Sequence, residues 1–446
     1  MALTKATYSM IQGAVANILD YGADSTGVSD SYAAIQAAVN AANAVFIPSG
    51  TFLISQEIRL NTNSFLFGAG KSSVIKKTTE LIPYCVSASN KQNVAIKDLS
   101  LDGNRVITTY SNSIQCLYIT SCDKVTVENV YAYNSRNDGL VFEFSSNVLV
   151  SSCYAFNNNK VGIYFSGCDE INCVGNTSRA NGGTSVTGSG IVVAATWNAS
   201  VVGNTCVENV ESEITISRGS RFVTVTGNTL GGTFNSAAPN GIWVFAEQLG
   251  GVLHGFNYGL GTTYWGASDC SITGNTVFSR GNFSLFNSST ITGNFFSRSV
   301  NHGLYFEGCG DNCVSDNIIS EWNSGSYGVA LNDSVLNGGT QSNTNQIKNN
   351  VLLGGAMSSA NAYVNFGTGT NNLFSMNAFR GSNYINGAII QTPPTTVAGL
   401  VAAATAGAGT KNFVSDATAT TFASIVAGSG ANNVPVYSDG TNWRIG

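Results

Sequence analysis

The tripeptide Gly-Asn-Thr returns at Gly175–Thr177, Gly203–Thr205, Gly227–Thr229 and Gly274–Thr276. Looser copies stand at Gly293–Phe295, Asp316–Ile318 and Asn349–Val351. The Asn residues of this series (Asn176, Asn204, Asn228, Asn275, Asn294, Asn317, Asn350) lie roughly 19 to 33 residues apart, with one gap about twice the usual size. Each interval holds two or three short apolar alternations. A unit of that size cannot bury its own apolar face, so it has to stack on copies of itself, and the chain is restricted to a solenoid.

Alternation of period two, cut by Gly and Asn, predicts strands rather than helices. One strand precedes each Asn, as in Ile171-Asn-Cys-Val and Val223-Thr-Val-Thr. A second aligns as Gly139-Leu-Val-Phe-Glu, Gly162-Ile-Tyr-Phe-Ser, Gly190-Ile-Val-Val-Ala, Glu213-Ile-Thr-Ile-Ser, Gly241-Ile-Trp-Val-Phe, Gly303-Leu-Tyr-Phe-Glu and Gly328-Val-Ala-Leu-Asn. The first and third residues after the Gly are apolar and point inward, while the second and fourth point outward. Rungs stacked about 4.8 Å apart place each Asn above the next, in reach for an amide ladder. Asn and Gly also tolerate the left-handed backbone of a tight bend. These Asn are therefore read as scaffold. About eleven or twelve rungs fit between Glu57 and Tyr384.

Only 10% of the 446 residues are charged, against about 25% in an ordinary soluble chain. Asn, Ser and Thr supply the polarity instead, a surface that suits a rigid rod and contact with sugars. The net charge of -5 gives no basic footprint for nucleic acid. The ten Cys show no metal-ligand spacing, and those within the repeats (Cys153, Cys168, Cys173, Cys206, Cys270, Cys309, Cys313) read as small reduced core residues. No metal and no cofactor is expected. No stretch is long and apolar enough to insert in a membrane. Met1–Asp20 lacks the pattern of a secretory signal, which predicts synthesis in a cytoplasm and release by lysis.

Five segments are expected: a lead-in over 1–16, an N-terminal cap over 17–58, the solenoid over 59–390, a linker over 391–396 and a small β module over 397–446. In the cap, Asp30 or Ser31 precedes a helix from Tyr32 to about Ala42 with Ile35, Ala38 and Val39 on one face. In the last segment, Asp439-Gly signals a hairpin.

Asp20-Tyr-Gly-Ala-Asp, Gly27-Val-Ser-Asp, Ala33-Ala-Ile-Gln-Ala-Ala and Phe46-Ile-Pro-Ser-Gly-Thr-Phe together resemble the opening motif of pectate-lyase-like right-handed parallel β-helices, especially the version in bacteriophage tailspikes. The resemblance implies an all-β solenoid. It also implies a homotrimer, attachment to a phage tail or baseplate protein, residence in the virion, and action on a bacterial surface polysaccharide. The C-terminal segment is similar to a terminal module of phage tail proteins, which implies trimer capping or receptor contact. The galacturonase motifs of this fold (Asn-Thr-Asp, paired Asp, Gly-His-Gly) do not stand here, which argues against pectin.

Glycoside hydrolysis needs two carboxylates on one groove, roughly 5 Å apart for retention and 6.5–9.5 Å for inversion. The outward columns carry Tyr164, Trp243, Phe245 and Tyr305, whose faces suit sugar rings. An insertion between Asn228 and Asn275 carries His254, Tyr258, Tyr264 and Trp265 and is expected to wall the groove beside Trp243. Glu211, Glu213, Glu247, Glu307 and Asp311 are the nearby carboxylates. Glu213 is expected to be exposed, and Glu213, Glu247 and Glu307 are the expected catalytic residues of an endo-glycosidase. Arg218 and His302 join the aromatics as expected substrate contacts. Two alternatives stay open: β-elimination centred on His302 and Tyr305, and a receptor fibre that grips glycan without cutting it.

Overall fold

The computed structural model describes residues 15–106, 114–183, 188–231, 240–253, 256–299, 301–322, 326–353, 363–365, 368, 371–375, 377–380 and 395–446. The chain divides into two compact units, Met1–Tyr384 and Ile385–Gly446. Most of the expected lead-in and linker falls outside the described residues.

The first unit is the expected parallel β-helix. One sheet contains twelve parallel strands, from Ile58–Arg59 to Tyr363–Asn365. Seven of its strands and one inserted hairpin position the site: β1 (Leu140–Glu143), β2 (Ile163–Ser166), β3 (Ser189–Ala194), β4 (Ser212–Ser217), β5 (Asn240–Phe245), the hairpin β6 (Glu247–Leu253) and β7 (Phe256–Trp265), then β8 (Arg280–Ser284) and β9 (Leu304–Glu307). The register is Val141, Tyr164, Val192, Thr215, Trp243, Asn282, Tyr305 along one outward column. The other strands, also parallel, close the cylinder in two further ladders. Inside, Phe142 stacks on Phe165 and Phe283 on Phe306, with ring centroids 5.2 and 5.0 Å apart. Nine of the ten Cys are buried in this core, and Cys313 is half-buried.

The Asn ladder is continuous. Asn176, Asn204, Asn228, Asn275, Asn294 and Asn317 each donate from Nδ2 to Oδ1 of the next, at 2.9–3.0 Å, ending on Asn350 and then Asn377. Each Oδ1 also accepts the backbone N–H of the previous Asn, as Asn228 does from Asn204 at 2.8 Å. Every amide is thus satisfied without water, which is why the row tolerates full burial. The preceding Gly residues at 175, 203, 227 and 274 all have φ near +64°, a left-handed bend that costs Gly little.

Helix α1 (Tyr32–Ala41) buries Ile35, Ala38 and Val39 as expected. Ser31 is its N-cap and makes no side-chain cap bond, while Asp30 before it supplies the acceptor: Oδ1 accepts from Tyr32 N at 3.1 Å and from Ser55 N at 3.0 Å. Gln36 closes the edge of the first rung, donating to Arg59 O at 3.0 Å and accepting from Arg59 N at 2.9 Å. A sheet edge left open would pair with another chain.

The second unit is a three-stranded antiparallel sheet, Lys411–Ala417, Asn432–Ser438 and Trp443–Ile445. Val414, Val434, Val436, Trp443 and Ile445 form its core. The expected hairpin turns at Asp439, whose Oδ1 accepts from Thr441 N and Asn442 N at 2.8 and 2.7 Å.

Candidate functional site

The outer face of the twelve-stranded sheet carries a cleft of about 210 Å³. Its floor is apolar: Val161, Val192 and Ala194 are buried beneath Tyr164 although they point away from the core. Asp138, Lys160 and Glu211 stand along one edge, just before β1, β2 and β4. Arg218 and Glu247 stand along the other, just beyond β4 and β5. Trp243 and Phe245, with ring centroids 4.5 Å apart, line the cleft from β5.

Arg218 takes a left-handed φ of 54° at the end of β4. This turns its guanidinium onto Glu247, with Nε to Oε2 at 2.8 Å and Nη2 to Oε1 at 3.1 Å. The Nη2 contact is a hydrogen bond, while Nε lies at ion-pair distance from Oε2 without making one. On the opposite edge, Asp138 is only 4% exposed, and its Oδ1 accepts from Val161 N at 2.9 Å. Burial pushes its pKa up from 3.8 to about 6, opposed by Lys160 and by the Val161 N–H. A carboxylic acid that keeps its proton into the mildly acidic range, at the rim of a cleft, has the character of a general acid.

The expected site residues divide. Glu247, Arg218, Trp243 and Phe245 meet in the cleft. Glu213 does not: it is 1% exposed and points into the core. Strict alternation would turn the Gly column outward. In the structure this column faces inward, and a Cβ built on Gly190 would meet Asn209 Nδ2 at 2.8 Å and Cys206 Cβ at 3.1 Å. Glu213 therefore ends a second buried amide row, Asn158 to Asn181 to Asn209, and accepts from Asn209 Nδ2 at 2.5 Å. Burial raises its pKa from 4.5 to about 7, against the Asn209 bonds. No polymer reaches it there.

Glu307 shares a column with Phe245 but lies two rungs away, where it accepts from Ser334 Oγ at 3.2 Å. It does not line the cleft. Tyr305 and His302 form a separate cluster: the His302 ring stacks on Tyr305 and Tyr327 at 5.4 and 5.7 Å. His302 Nδ1 accepts the Tyr327 N–H at 3.1 Å, and burial and Arg280 lower its pKa. With Nδ1 engaged as an acceptor, the neutral ring carries its proton on Nε2 and offers a donor there. Tyr305 Oη meanwhile accepts from Asn332 Nδ2 at 3.1 Å.

The insertion between β5 and β8 folds as the antiparallel hairpin β6–β7. Its backbone is tied at Tyr264, whose N–H donates to Asn337 Oδ1 at 2.8 Å and whose O accepts from Asn337 Nδ2 at 2.9 Å. Neither Tyr264 nor Trp265 lines the cleft beside Trp243, contrary to expectation; Trp265 borders a different hollow. His254 and the side chain of Tyr258 lie outside the described residues. Asp138 is the residue that the sequence reading missed. The signal was its place directly before Gly139, one step outside the aligned columns. Among the described residues, no group of three or more His, Cys, Asp or Glu is placed to hold a metal ion, and no helix is long and apolar enough to cross a membrane.

Residues 15–215 match the family model "Rhamnogalacturonase A/epimerase, pectate lyase-like". A pre-neck appendage protein of Bacillus phage phi29 is 28% identical over 137 residues, covering 28% of this chain and 16% of the relative. The chain thus spans about a sixth of the length of that curated relative. Among solved structures, the catalytic unit of a GH87 alpha-1,3-glucanase from Streptomyces thermodiastaticus superimposes with a TM-score of 0.63 at 17% identity, over 84% of this chain and 70% of that one. The Dettilon tailspike protein superimposes with a TM-score of 0.56 at 15% identity, over 79% of this chain and 68% of that one.

Proposed function

We propose that this parallel β-helix, whose residues 15–215 match a pectate-lyase-like family model, is a phage tailspike that binds and endo-hydrolyses a bacterial surface polysaccharide, a capsule, O-antigen or exopolysaccharide. It acts as a homotrimer on the virion, fixed to a tail or baseplate protein. The names of its relatives, an appendage protein, a tailspike and a glucanase, support this class. The observation that carries the reading is the cleft itself, where an apolar floor and two aromatic rings lie between edges that hold Asp138 and Glu211 on one side and Arg218 and Glu247 on the other.

In the mechanism, Asp138 gives its proton to the glycosidic oxygen as the bond from that oxygen to the anomeric carbon breaks. Glu211 takes a proton from water as the water oxygen bonds to the anomeric carbon. Both ends of the cut chain leave as hydroxyls, so atoms and charge balance. Asp138 and Glu211 lie on one edge, three rungs apart, about 14 Å between backbones. An inverting pair works across about 6.5–9.5 Å, so this reading requires the Glu211 side chain to reach back along the axis when substrate is bound. The Arg218–Glu247 pair holds the sugar from the far edge. Glu247, expected to be catalytic, here becomes a binding residue.

The test is digestion of a panel of purified bacterial polysaccharides. New reducing ends without absorbance near 235 nm mark hydrolysis, and that absorbance marks unsaturated products of elimination. Asp138→Asn is expected to lower kcat by about 10²–10⁴-fold with little change in binding. Full activity in Asp138→Asn removes the assignment.

A further inference from the structure

Behind the base of the hairpin the rod has a second hollow, of about 220 Å³. Gly219, Gly266 and Ala267 line it with small residues, Trp265 contributes an indole, and Ser268 and Asn287 add polar groups. It is backed by rigid structure. Gly266 packs so tightly that a Cβ there would fall 2.2 Å from Ser284 O. Arg221, also on the lining, is fixed by Asp269, which accepts from Nε and Nη2 at 3.0 and 2.7 Å. Its guanidinium lies over the Trp197 and Phe222 rings, 5.6 and 5.4 Å from their centroids.

The two hollows adjoin at the base of the hairpin. Consecutive residues divide between them, Arg218 lining the first and Gly219 the second. So do cross-strand partners: Glu247 lines the first and Trp265, opposite it in the hairpin, lines the second. A polymer held in the first cleft that continues past Arg218 and the base of the hairpin would come next to the second. Ser268 Oγ donates to Asp269 Oδ2 at 2.9 Å, and Asn287 donates to Leu285 O and accepts from Gly310 N, so what the hollow offers a pyranose ring is chiefly the indole and a small-residue surface. Arg221 is already neutralised by Asp269, so the fit is to a neutral ring.

We propose that this hollow is a distal subsite that takes one neutral sugar unit of the polymer held in the first cleft. The proposal rests on the polysaccharide reading above. The experiment uses the full chain and the panel polysaccharide that binds, cut by partial acid hydrolysis into short and long fragments. Trp265→Ala is expected to weaken the long fragments at least fivefold and leave the shortest unchanged, with Trp265→Phe in between. Ser268→Tyr fills the hollow and keeps the indole, so it should reproduce the loss on long fragments even if Trp265→Ala disturbs the hairpin. If Ser268→Tyr binds long fragments as the wild type does, while Trp243→Ala weakens fragments of every length, the subsite falls and the cleft stands. If no polysaccharide on the panel binds the wild type, both fall.

Discussion

Glu213→Gln isolates the energetic consequence of a carboxyl built into the core. The group is 1% exposed and ends an amide row, accepting from Asn209. Burial raises its pKa from 4.5 to about 7. Between those two pH values the folded protein binds more protons at this site than the unfolded chain does. Stability therefore falls as pH rises through that window and levels off above it. The shift corresponds to about 3 kcal/mol lost by pH 8. Gln keeps an acceptor for Asn209 and carries no charge at any pH. The two proteins should be about equally stable near pH 4.5, and the variant should gain about 3 kcal/mol on the wild type by pH 8, about 4 °C in melting temperature for a unit of this length. Melting both from pH 4 to 9 measures the difference, in which other carboxylates cancel. Parallel curves across that range would show the Glu213 carboxyl to be hydrated, and would refute the inward placement of the Gly column.

Three further outcomes follow from the same geometry. Asn228→Ala strips Asn204 N and Nδ2 of their acceptor, takes the side-chain donor from Val201 O, and leaves Asn275 Oδ1 with one of its two donors, the backbone N–H of residue 228. It is expected to cost roughly 3–5 kcal/mol, read by denaturant unfolding. Gly190→Ala drives a Cβ to within 2.5 Å of Glu213 O, whereas Gly227→Ala meets nothing within 4 Å and has only its φ of +64° to bear. The first should lower the melting temperature clearly more than the second, whose cost is about 1–2 kcal/mol. In the proposed reaction, activity requires protonated Asp138, so the rate should fall as pH rises above about 6. A rate that stays flat to pH 8 contradicts the role of Asp138 as acid.

The solenoid was legible because one rule, period two broken by Gly-Asn, is repeated until chance is excluded. The α1 face, the Asn ladder, the outward column from Val141 to Tyr305 and the Asp439 hairpin followed from local chemistry. The cleft was half legible. Trp243 and Phe245 announce themselves as aromatics in an outward column, and Arg218 and Glu247 as charges beyond the strand ends. Asp138 did not, because its significance comes from Val161, Val192 and Tyr164 closing over the sheet, a fact about three rungs at once. Trp265 was assigned to the wrong wall because a hairpin's twist decides which hollow its base faces, and spacing carries no information on that.

Asp138 and Glu213 contrast in where the scaffold puts a buried acid. Both are acids near the start of a strand in the same sheet, and burial raises the pKa of both, to about 6 and about 7. They differ by one position relative to the Gly column. At the column itself the side chain enters the core and joins Asn209; one residue earlier it enters the cleft with Ser189 and Val161. In the proposed reaction, the break in alternation at that bend therefore separates a structural acid from a chemical one. An acid in the column position titrates at the expense of stability, and an acid one step earlier is available to a substrate. Moving the carboxyl across that step, by Asp138→Ser together with Gly139→Asp, should abolish cleavage and also lower stability. A Cβ at 139 would meet Asn158 Nδ2 and Gly162 O, each at 2.7 Å. Digestion assays and melting of this double variant test both halves, and retained cleavage would mean that the bend does not set which acid meets the polymer.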